Sequence, residues 1–295
     1  MQHKIKRRDV PFVLVNLVPG LILFAVTVIF PAVMALRYSL YESDTFIGKP
    51  KFVGLHNFAE LFQDKHFWSD LSKTLIYAGG SVVFQVVLGI AIALLLNQRF
   101  AGRSFLRGAT VLPYIVPSIV VTITWQWMLN TNYGVISKFL GYFGVYQFNF
   151  FSVDMSMITV VLVSVWSFTP FVTLVFLAGL QTVPEDMYES AALDGAGKWT
   201  QFRTITIPML SPIIANIVLL RGIWMFNKFD LVWLMTGGGP LERTETLPVT
   251  TYIYTFSQYK IGYGVSIAVV SFLIMLIFML IYLRLMNRAN GGTRT

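Results

Sequence analysis

The sequence predicts an all-α integral membrane protein with six transmembrane helices in one domain, residues 1–295. Hydrophobic residues make up 56% of the chain and charged residues only 12%. A soluble domain of this length needs a more polar surface. The apolar residues instead form runs of about 20, the length that crosses a bilayer as a helix. The predicted spans are residues 11–36, 74–96, 109–129, 155–180, 211–235 and 264–286.

The chain starts with a basic N-terminus followed by a long apolar run. Four basic residues precede residues 11–36, namely Lys4, Lys6, Arg7 and Arg8. The run is too long for a signal peptide and no small-residue cleavage site follows it, so we predict an uncleaved first span. Residues 37–73 balance acidic with basic side chains and are rich in aromatics. That composition is typical of a small folded outer segment rather than a disordered linker.

Prolines and basic residues refine the prediction for the later spans. Pro113 and Pro117 lie inside the third span and predict a kink, and Pro170 interrupts the fourth. The aromatic residues of the outer loop 131–154 favour an interfacial belt over the lining of a solute path. An even number of spans places both termini on one side, where Lys and Arg are enriched next to the membrane. Both termini are therefore predicted to be cytoplasmic.

A polar, helix-forming island at residues 182–212 stands out from the apolar chain. Thr182 and Glu185 have the spacing of a capping box, which predicts the start of a helix. Gly195 and Gly197 predict its end, because glycine accepts the left-handed conformation found there. A second amphipathic helix is predicted for residues 198–206. Pro208 and Pro212 are then expected to break or bend the entry into the fifth span.

The same island resembles the "EAA" cytoplasmic loop of bacterial ATP-binding-cassette (ABC) import permeases. The resemblance lies in Glu189-Ser190-Ala191, in a glycine four positions later, and in the sequence ITIP at residues 205–208. Ser190 and Ile207 are mild departures from the family pattern. The resemblance implies a type I ABC importer permease fold in which loop 182–208 carries a coupling helix that docks on an ATPase subunit. The residues implicated are Glu185, Glu189, Ser190, Ala191, Ala192, Asp194, Gly195, Ala196, Phe202 and Pro208. The alternative is an ordinary amphipathic loop between two membrane helices.

The fifth span carries an unusual set of polar side chains: Arg221, Trp224, Asn227, Lys228 and Asp230. Ionised groups at bilayer depth are costly, so these residues should face the protein interior, each other or water. Helical spacing places Arg221, Trp224 and Lys228 on one face and directs Asp230 away from it. An aromatic ring with amide and charged groups can bind a sugar. Alternatively, the cations pair with a partner subunit, and a further hypothesis is that they favour an anionic sugar.

Residues 221–240, RGIWMFNKFDLVWLMTGGGP, resemble the fifth span of carbohydrate permeases of the maltose, glycerol-phosphate and lactose type, in particular the first of their two permease subunits. Residues 52–64 resemble the segment after the first span of sugar-type permeases. The resemblance implies import of a sugar or sugar derivative across a bacterial inner membrane. It also implies three kinds of partner, which are a second permease subunit, a dimer of ATPase subunits and an extracytoplasmic solute-binding protein. ATP and Mg would be bound by the ATPase subunits, and no cofactor by this chain.

Other classes of function fit the sequence poorly. The chain has no cysteine, which excludes disulfides and thiolate metal sites. Residues 195–198 resemble the tail of a phosphate loop, but Trp199 stands where serine or threonine is required. The net charge of +8 is explained by cytoplasmic loops, so nucleic-acid binding is not expected. A stand-alone carrier or facilitator for a small polar solute is the alternative, although carboxylates for an ion relay are nearly absent from the spans.

Overall fold

The computed structural model describes residues 10–43 and 50–291. The basic residues at positions 4–8 lie outside the described part. The first apolar run is helical from α1 (Val10–Phe24) through a π-helical turn at Ala25–Ile29 to α2 (Phe30–Tyr38). Leu17–Tyr38 is long and apolar enough to cross a membrane, and most of its side chains are exposed in the isolated chain. Exposed apolar side chains along a helix are what a lipid environment accommodates.

The segment after the first span contains the only β-structure among the described residues. Strands β1 (Tyr41–Glu42) and β2 (Lys51–Phe52) pair antiparallel and precede helix α3 (His56–Gln63). Helix α4 (Lys65–Asn97) then runs unbroken through the second apolar run. The predicted outer segment 37–73 therefore overlaps the first turns of α4, and its place outside the membrane stays a prediction.

The third predicted span, residues 109–129, is a pair of helices. Helices α5 (Arg103–Ile115) and α6 (Ser118–Met128) meet at an angle of 96°. Val116 and Pro117 separate the two helices and have extended ψ angles. The bend is much stronger than a proline kink within one helix, because the residue before a proline is driven out of the helical region. A short helix, α7 (Val135–Gly141), lies in the loop that follows.

Helix α8 (Ser156–Leu180) is the most buried span and keeps its helical course through Pro170. The polar island after it contains helices α9 (Glu185–Leu193) and α10 (Lys198–Gln201) and a π-helical turn at Phe202–Thr206. Helix α11 (Ile207–Phe226) follows without a break, so that Lys198–Phe226 forms one candidate span.

The expected break at Pro208 and Pro212 does not occur. Pro208 is the second residue of α11, directly after the π-helical turn, and its fixed φ is compatible with a helical backbone. Pro212 cannot bond the carbonyl of Pro208, but the Ser211 hydroxyl donates to that oxygen at 2.9 Å. A side-chain donor thus replaces the lost backbone bond, and the helix continues.

The fifth predicted span, residues 211–235, is also interrupted at its other end. Helix α11 ends at Phe226, and helix α12 (Asp230–Thr236) is a separate short helix. An additional helix, α13 (Leu247–Tyr252), continues into a π-helical turn at Ile253–Ser257. Helix α14 (Ile261–Gly291) contains the sixth predicted span, 264–286. Within residues 10–43 and 50–291, five helices are long and apolar enough to cross a membrane, and the bent pair α5 and α6 makes a sixth if it crosses as one span.

The chain divides into two compact units, one from Met1–Lys65 and Thr251–Ser271 and the other from His66–Thr250 and Phe272–Thr295. In the first unit the Asn57 amide donates to the carbonyls of Ser39 and Tyr41 at 2.9 and 3.0 Å. The Tyr263 hydroxyl donates to the Asp64 carboxylate at 2.7 Å. The expectation of a single domain over residues 1–295 stays a prediction.

The core of the second unit is formed by α4, α8 and α11. Its buried apolar residues are Ala93, Leu96, Val172, Phe176, Leu177, Leu180, Val183, Ile205, Leu210 and Ile217. Helices α4 and α8 pack closely at Gly89, where a Cβ atom would lie 2.6 Å from the Cβ of Val172. A side chain at position 89 would therefore force the two helices apart.

We expect Gly89→Ala to destabilise the protein by roughly 1–3 kcal/mol, the usual cost of overpacking a filled core. The matched control is Gly79→Ala in the same helix, because no described atom lies within 4 Å of a Cβ built at Gly79. Thermal unfolding of both variants in one detergent tests the prediction. Equal midpoints for the two variants would show that the close approach of α4 and α8 is not needed for stability.

Candidate functional site

Helix α9 has one face attached to the core and one face exposed. Tyr188 and Ala191 pack against the core of α4, α8 and α11. The Tyr188 hydroxyl also lies 2.9 Å from the Thr206 hydroxyl. The remaining predicted coupling residues of this helix are exposed, namely Glu185, Glu189, Ser190 and Ala192. The polar island is therefore a surface loop whose position is set by contacts with the core of α4, α8 and α11.

The expected capping box at Thr182 is absent from this helix. Pro184 is the N-cap, and the Thr182 hydroxyl donates to the Gly179 carbonyl at 2.8 Å. Thr182 thus caps the C-terminal end of α8, whose last carbonyls also lack helical partners. Glu185 and Asp186 still lie in the first turn of α9, where acidic side chains interact favourably with the helix dipole.

The turn after α9 has a fixed geometry. Gly195 has φ +81°, and no described atom lies within 4 Å of a Cβ built on it. The amide of Ala196 donates to the Ala191 carbonyl at 2.9 Å, and the Gln201 side chain donates to the Ala196 carbonyl at 3.0 Å. Glycine is needed here for its left-handed backbone and not for space. Asp194 and Gly195 are exposed, and Phe202 is half-buried.

Large apolar side chains are exposed on this polar loop. The exposed fractions are 41% for Met187, 90% for Leu193 and 71% for Trp199. Trp199 packs against Phe202 with ring centroids 5.4 Å apart. Exposed large apolar side chains with a charged rim are typical of a protein interaction surface. Glu185, Asp186 and Glu189 supply part of that rim. We call this set of exposed residues on α9 and α10 the loop surface.

The second site predicted from sequence is an aromatic cluster around Arg221. This side chain is only 1% exposed, and its Nε donates to the Gln85 amide oxygen at 2.8 Å. The guanidinium carbon lies 4.9 Å from the ring centre of Phe168, 5.4 Å from Trp224 and 5.8 Å from Phe171. Cation–π contacts and one amide thus hold a buried charge. Within the part of the chain described, no carboxylate lies within salt-bridge distance of Arg221.

Of the other predicted residues, Lys228 and Asp230 contact each other, whereas Asn227 contacts a different part of the chain. Lys228 pairs with Asp230 at 2.9 Å and lies 4.6 Å from the ring centre of Phe168. The prediction that Asp230 points away is wrong, because α11 ends before it and the chain turns. Asn227 is exposed and its amide contacts the Met275 sulfur at 3.3 Å. Arg221, Trp224, Lys228 and Asp230 are thus brought together, whereas Asn227 is not.

These contacts bear on the alternatives for the cations. Lys228 is paired within the chain, so it is no free cation for an anionic sugar, and neither cation requires a partner subunit to satisfy it. Trp224 is 41% exposed and presents its indole beside the buried charge. The sequence analysis missed Gln85, Phe168 and Phe171. A single glutamine inside the apolar run 74–96 and aromatics flanking Pro170 were the available signals.

The apolar helices, the buried cation and the core-anchored loop surface define a multi-pass membrane transport subunit. The chain belongs to the family of binding-protein-dependent transport system inner membrane components, whose sequence pattern matches residues 85–291. It is therefore a permease subunit of an ABC importer and not an enzyme.

Individual relatives agree with that assignment. The chain is 34% identical to the trehalose/maltose transport system permease protein MalF of Thermococcus litoralis, over 96% of both chains. It is 33% identical to the inner membrane ABC transporter permease protein YcjO of Escherichia coli, over 97% of both. Its fold matches a chain of a bacterial ABC transporter involved in import of the acidic polysaccharide alginate. That match has a TM-score of 0.84, covers 96% of both chains and has 20% identity. The predicted fold class and family resemblance are thereby confirmed.

We expect Gln85→Leu to destabilise the protein by about 1–3 kcal/mol, because it removes a hydrogen bond to a buried charge. The double variant Gln85→Leu, Arg221→Met should lose less than the sum of the single variants, since they share this interaction. Unfolding midpoints of the four proteins provide the measurement. Strict additivity would show that Gln85 and Arg221 are not coupled.

Proposed function

We propose that this chain is one of two related permease subunits in an ATP-driven importer for a sugar or sugar derivative, and that the loop surface is where an ATPase subunit docks. The observation that carries the proposal is the exposure of Met187, Leu193 and Trp199 on a loop whose other face is fixed to the core. The complete transporter contains a second permease, a dimer of ATPases and an extracytoplasmic solute-binding protein. ATP and Mg bind the ATPases, and both termini of this chain are on the cytoplasmic side of a bacterial inner membrane.

Helix α9 works as a lever in this proposal. Its exposed face follows the ATPase, while Tyr188 and Ala191 transmit the displacement to the core of α4, α8 and α11. Gly195 and the hydrogen bonds around Ala196 keep α9 and α10 at a fixed angle. Glu185 and Glu189 provide charges at the rim, and the small Ala192 allows close approach. ATP binds the two conformations of the transporter with different affinity and so shifts the equilibrium between inward and outward openings.

The sugar path is assigned to the aromatic cluster. Trp224 offers an exposed ring that can stack on a sugar face. Arg221 lies behind that ring and orients it rather than binding the sugar itself, since Arg221 is buried. Lys228 and Asp230 form a paired charge that can exchange hydrogen bonds with hydroxyl groups. The name of the trehalose/maltose relative supports a sugar as the solute.

We expect Gly195→Val to weaken ATPase docking and abolish most transport while leaving membrane insertion intact. A β-branched residue at φ +81° is strained by about 1–3 kcal/mol, which distorts the turn between α9 and α10. Gly197→Val is the matched control, because Gly197 has φ −67° and equally open surroundings. Affinity purification of the tagged chain in mild detergent, with mass spectrometry of the bound proteins, measures docking.

Three results are informative in this experiment. Copurification of an ATPase with the wild type and Gly197→Val, and its loss from Gly195→Val, supports the docking site. Equal recovery of the ATPase with all three proteins argues that the loop surface does not dock it. Purification of the wild type alone or as a homo-oligomer would contradict the proposed docking of an ATPase on this chain.

We expect Trp224→Ala to reduce sugar uptake by up to about tenfold, because the variant loses the stacking of the indole on the sugar ring. Trp166→Ala is the control, since Trp166 has the same exposed fraction, 42% against 41%, and packs instead against Trp125. A ligand screen of the solute-binding protein supplies the sugar, and uptake into proteoliposomes holding the whole transporter is measured. Similar losses for both variants would place the path elsewhere.

A further inference from the structure

A cluster of ionisable side chains lies away from both sites described above. His66, near the start of α4, has Nε2 3.1 Å from Glu245 Oε2 and 3.3 Å from Asp70 Oδ2. Its Nδ1 lies 3.4 Å from Glu242 Oε2. Ligand atoms of His66, Glu242 and Glu245 all lie within 4.8 Å of one another. Residues far apart in sequence thus converge on one imidazole.

The cluster carries an excess of negative charge. Three carboxylates surround the imidazole, and among the described residues Lys73 is the cation that pairs with one of them, Asp70, at 2.8 Å. Asp70 has a fully buried side chain and Glu245 is only 13% exposed. The three carboxylates are therefore short of positive charge.

The surroundings of the two His66 ring nitrogens indicate where a positive charge is missing. Both ring nitrogens face carboxylate oxygens, but a neutral imidazole has one N–H and one acceptor nitrogen. An acceptor nitrogen next to a carboxylate is repulsive. A cation bound between them removes the repulsion and adds the charge that the cluster lacks.

We propose that His66, Glu242 and Glu245 bind a divalent transition-metal cation such as Zn²⁺. One imidazole nitrogen and carboxylate oxygens are the ligands that Zn²⁺ accepts. The 3.4 Å between His66 Nδ1 and Glu242 Oε2 suits two bonds of about 2 Å, and ligand atoms of all three residues lie within 4.8 Å of one another. Nε2 then keeps its proton. A ligating histidine usually donates its second N–H to a carboxylate. Asp70 can accept it, because Lys73 and the Thr250 hydroxyl, at 2.8 and 2.6 Å, hold Asp70 in place.

The cation links two segments that are far apart in the sequence. Glu242 and Glu245 belong to the connection between α12 and α13, whereas His66 and Asp70 belong to α4. The Leu247 amide donates to the Thr74 hydroxyl at 2.8 Å beside the cluster. A bound metal therefore fastens this connection to α4. Glu242 is 60% exposed, which leaves an entry for the ion from solvent.

The test is metal binding by the assembled transporter, purified through a streptavidin-binding tag so that no polyhistidine tag contributes. The protein is stripped of metal with EDTA, incubated with Zn²⁺ at pH 7.5 and desalted. Its zinc content is then measured by inductively coupled plasma mass spectrometry. The variants are His66→Asn, Glu242→Gln and Glu245→Gln. The matched controls are His56→Asn and Glu60→Gln, whose side chains are exposed outside the cluster.

We expect one Zn²⁺ per chain in the wild type and both controls, and affinity reduced about tenfold or more in each cluster variant. If a substitution at a buried position prevents folding, Glu242→Gln still tests the proposal, because the Glu242 side chain is largely exposed. Zinc content in the wild type no higher than in the cluster variants would overturn the proposal and leave a protonated His66 as the source of positive charge.

Discussion

The close packing of α8 against α4 is the constraint on which the second unit depends. Lipid is as apolar as the side chains it touches, so burial of apolar surface gives little drive for helices to associate inside a membrane. Close van der Waals contact between the helices must therefore supply much of the free energy of their association. At Gly89 the backbone of α4 comes so near Val172 that only a residue without a side chain fits. The polar residues Gln85 and Arg221, and the aromatic rings around them, lie in the same packed region.

The loop surface is a continuation of that core rather than an attachment to it. Ala93 and Leu96 of α4, Leu180 of α8 and Ile205 before α11 form one cluster on which Tyr188 and Ala191 rest. A force on α9 therefore acts on three helices at once. The π-helical turn at Phe202–Thr206 and the Ser211 hydroxyl keep the loop continuous with α11. A displacement of α10 is therefore transmitted directly to α11. These contacts give a physical basis for coupling an exposed loop to a path inside the membrane.

Ionisable side chains in the second unit have three different kinds of surroundings. Aromatic rings and one amide surround Arg221, a carboxylate pairs with Lys228, and three carboxylates surround His66. The first two lie in the region that we propose for the sugar, with a fixed charge beside an exposed indole and a paired charge next to it. The third lies at the start of α4, where we propose a bound metal. Ionised groups in a membrane protein need such partners, which is why each one indicates a specific task.

The sequence by itself determined the class of fold, the family and the position of the loop after α8. Apolar runs of membrane-spanning length and the residues from Glu189 to Pro208 suffice for that, because hydropathy and local turn chemistry depend on neighbours in the chain. Only the tertiary structure decided where helices begin and bend. It extended α4 back to Lys65, separated α5 from α6 by 96°, and ended α11 at Phe226. It also paired Asp230 with Lys228, and joined Gln85 to Arg221 and His66 to Glu245. Those contacts join residues whose relation depends on helix direction and packing, and no local pattern encodes either.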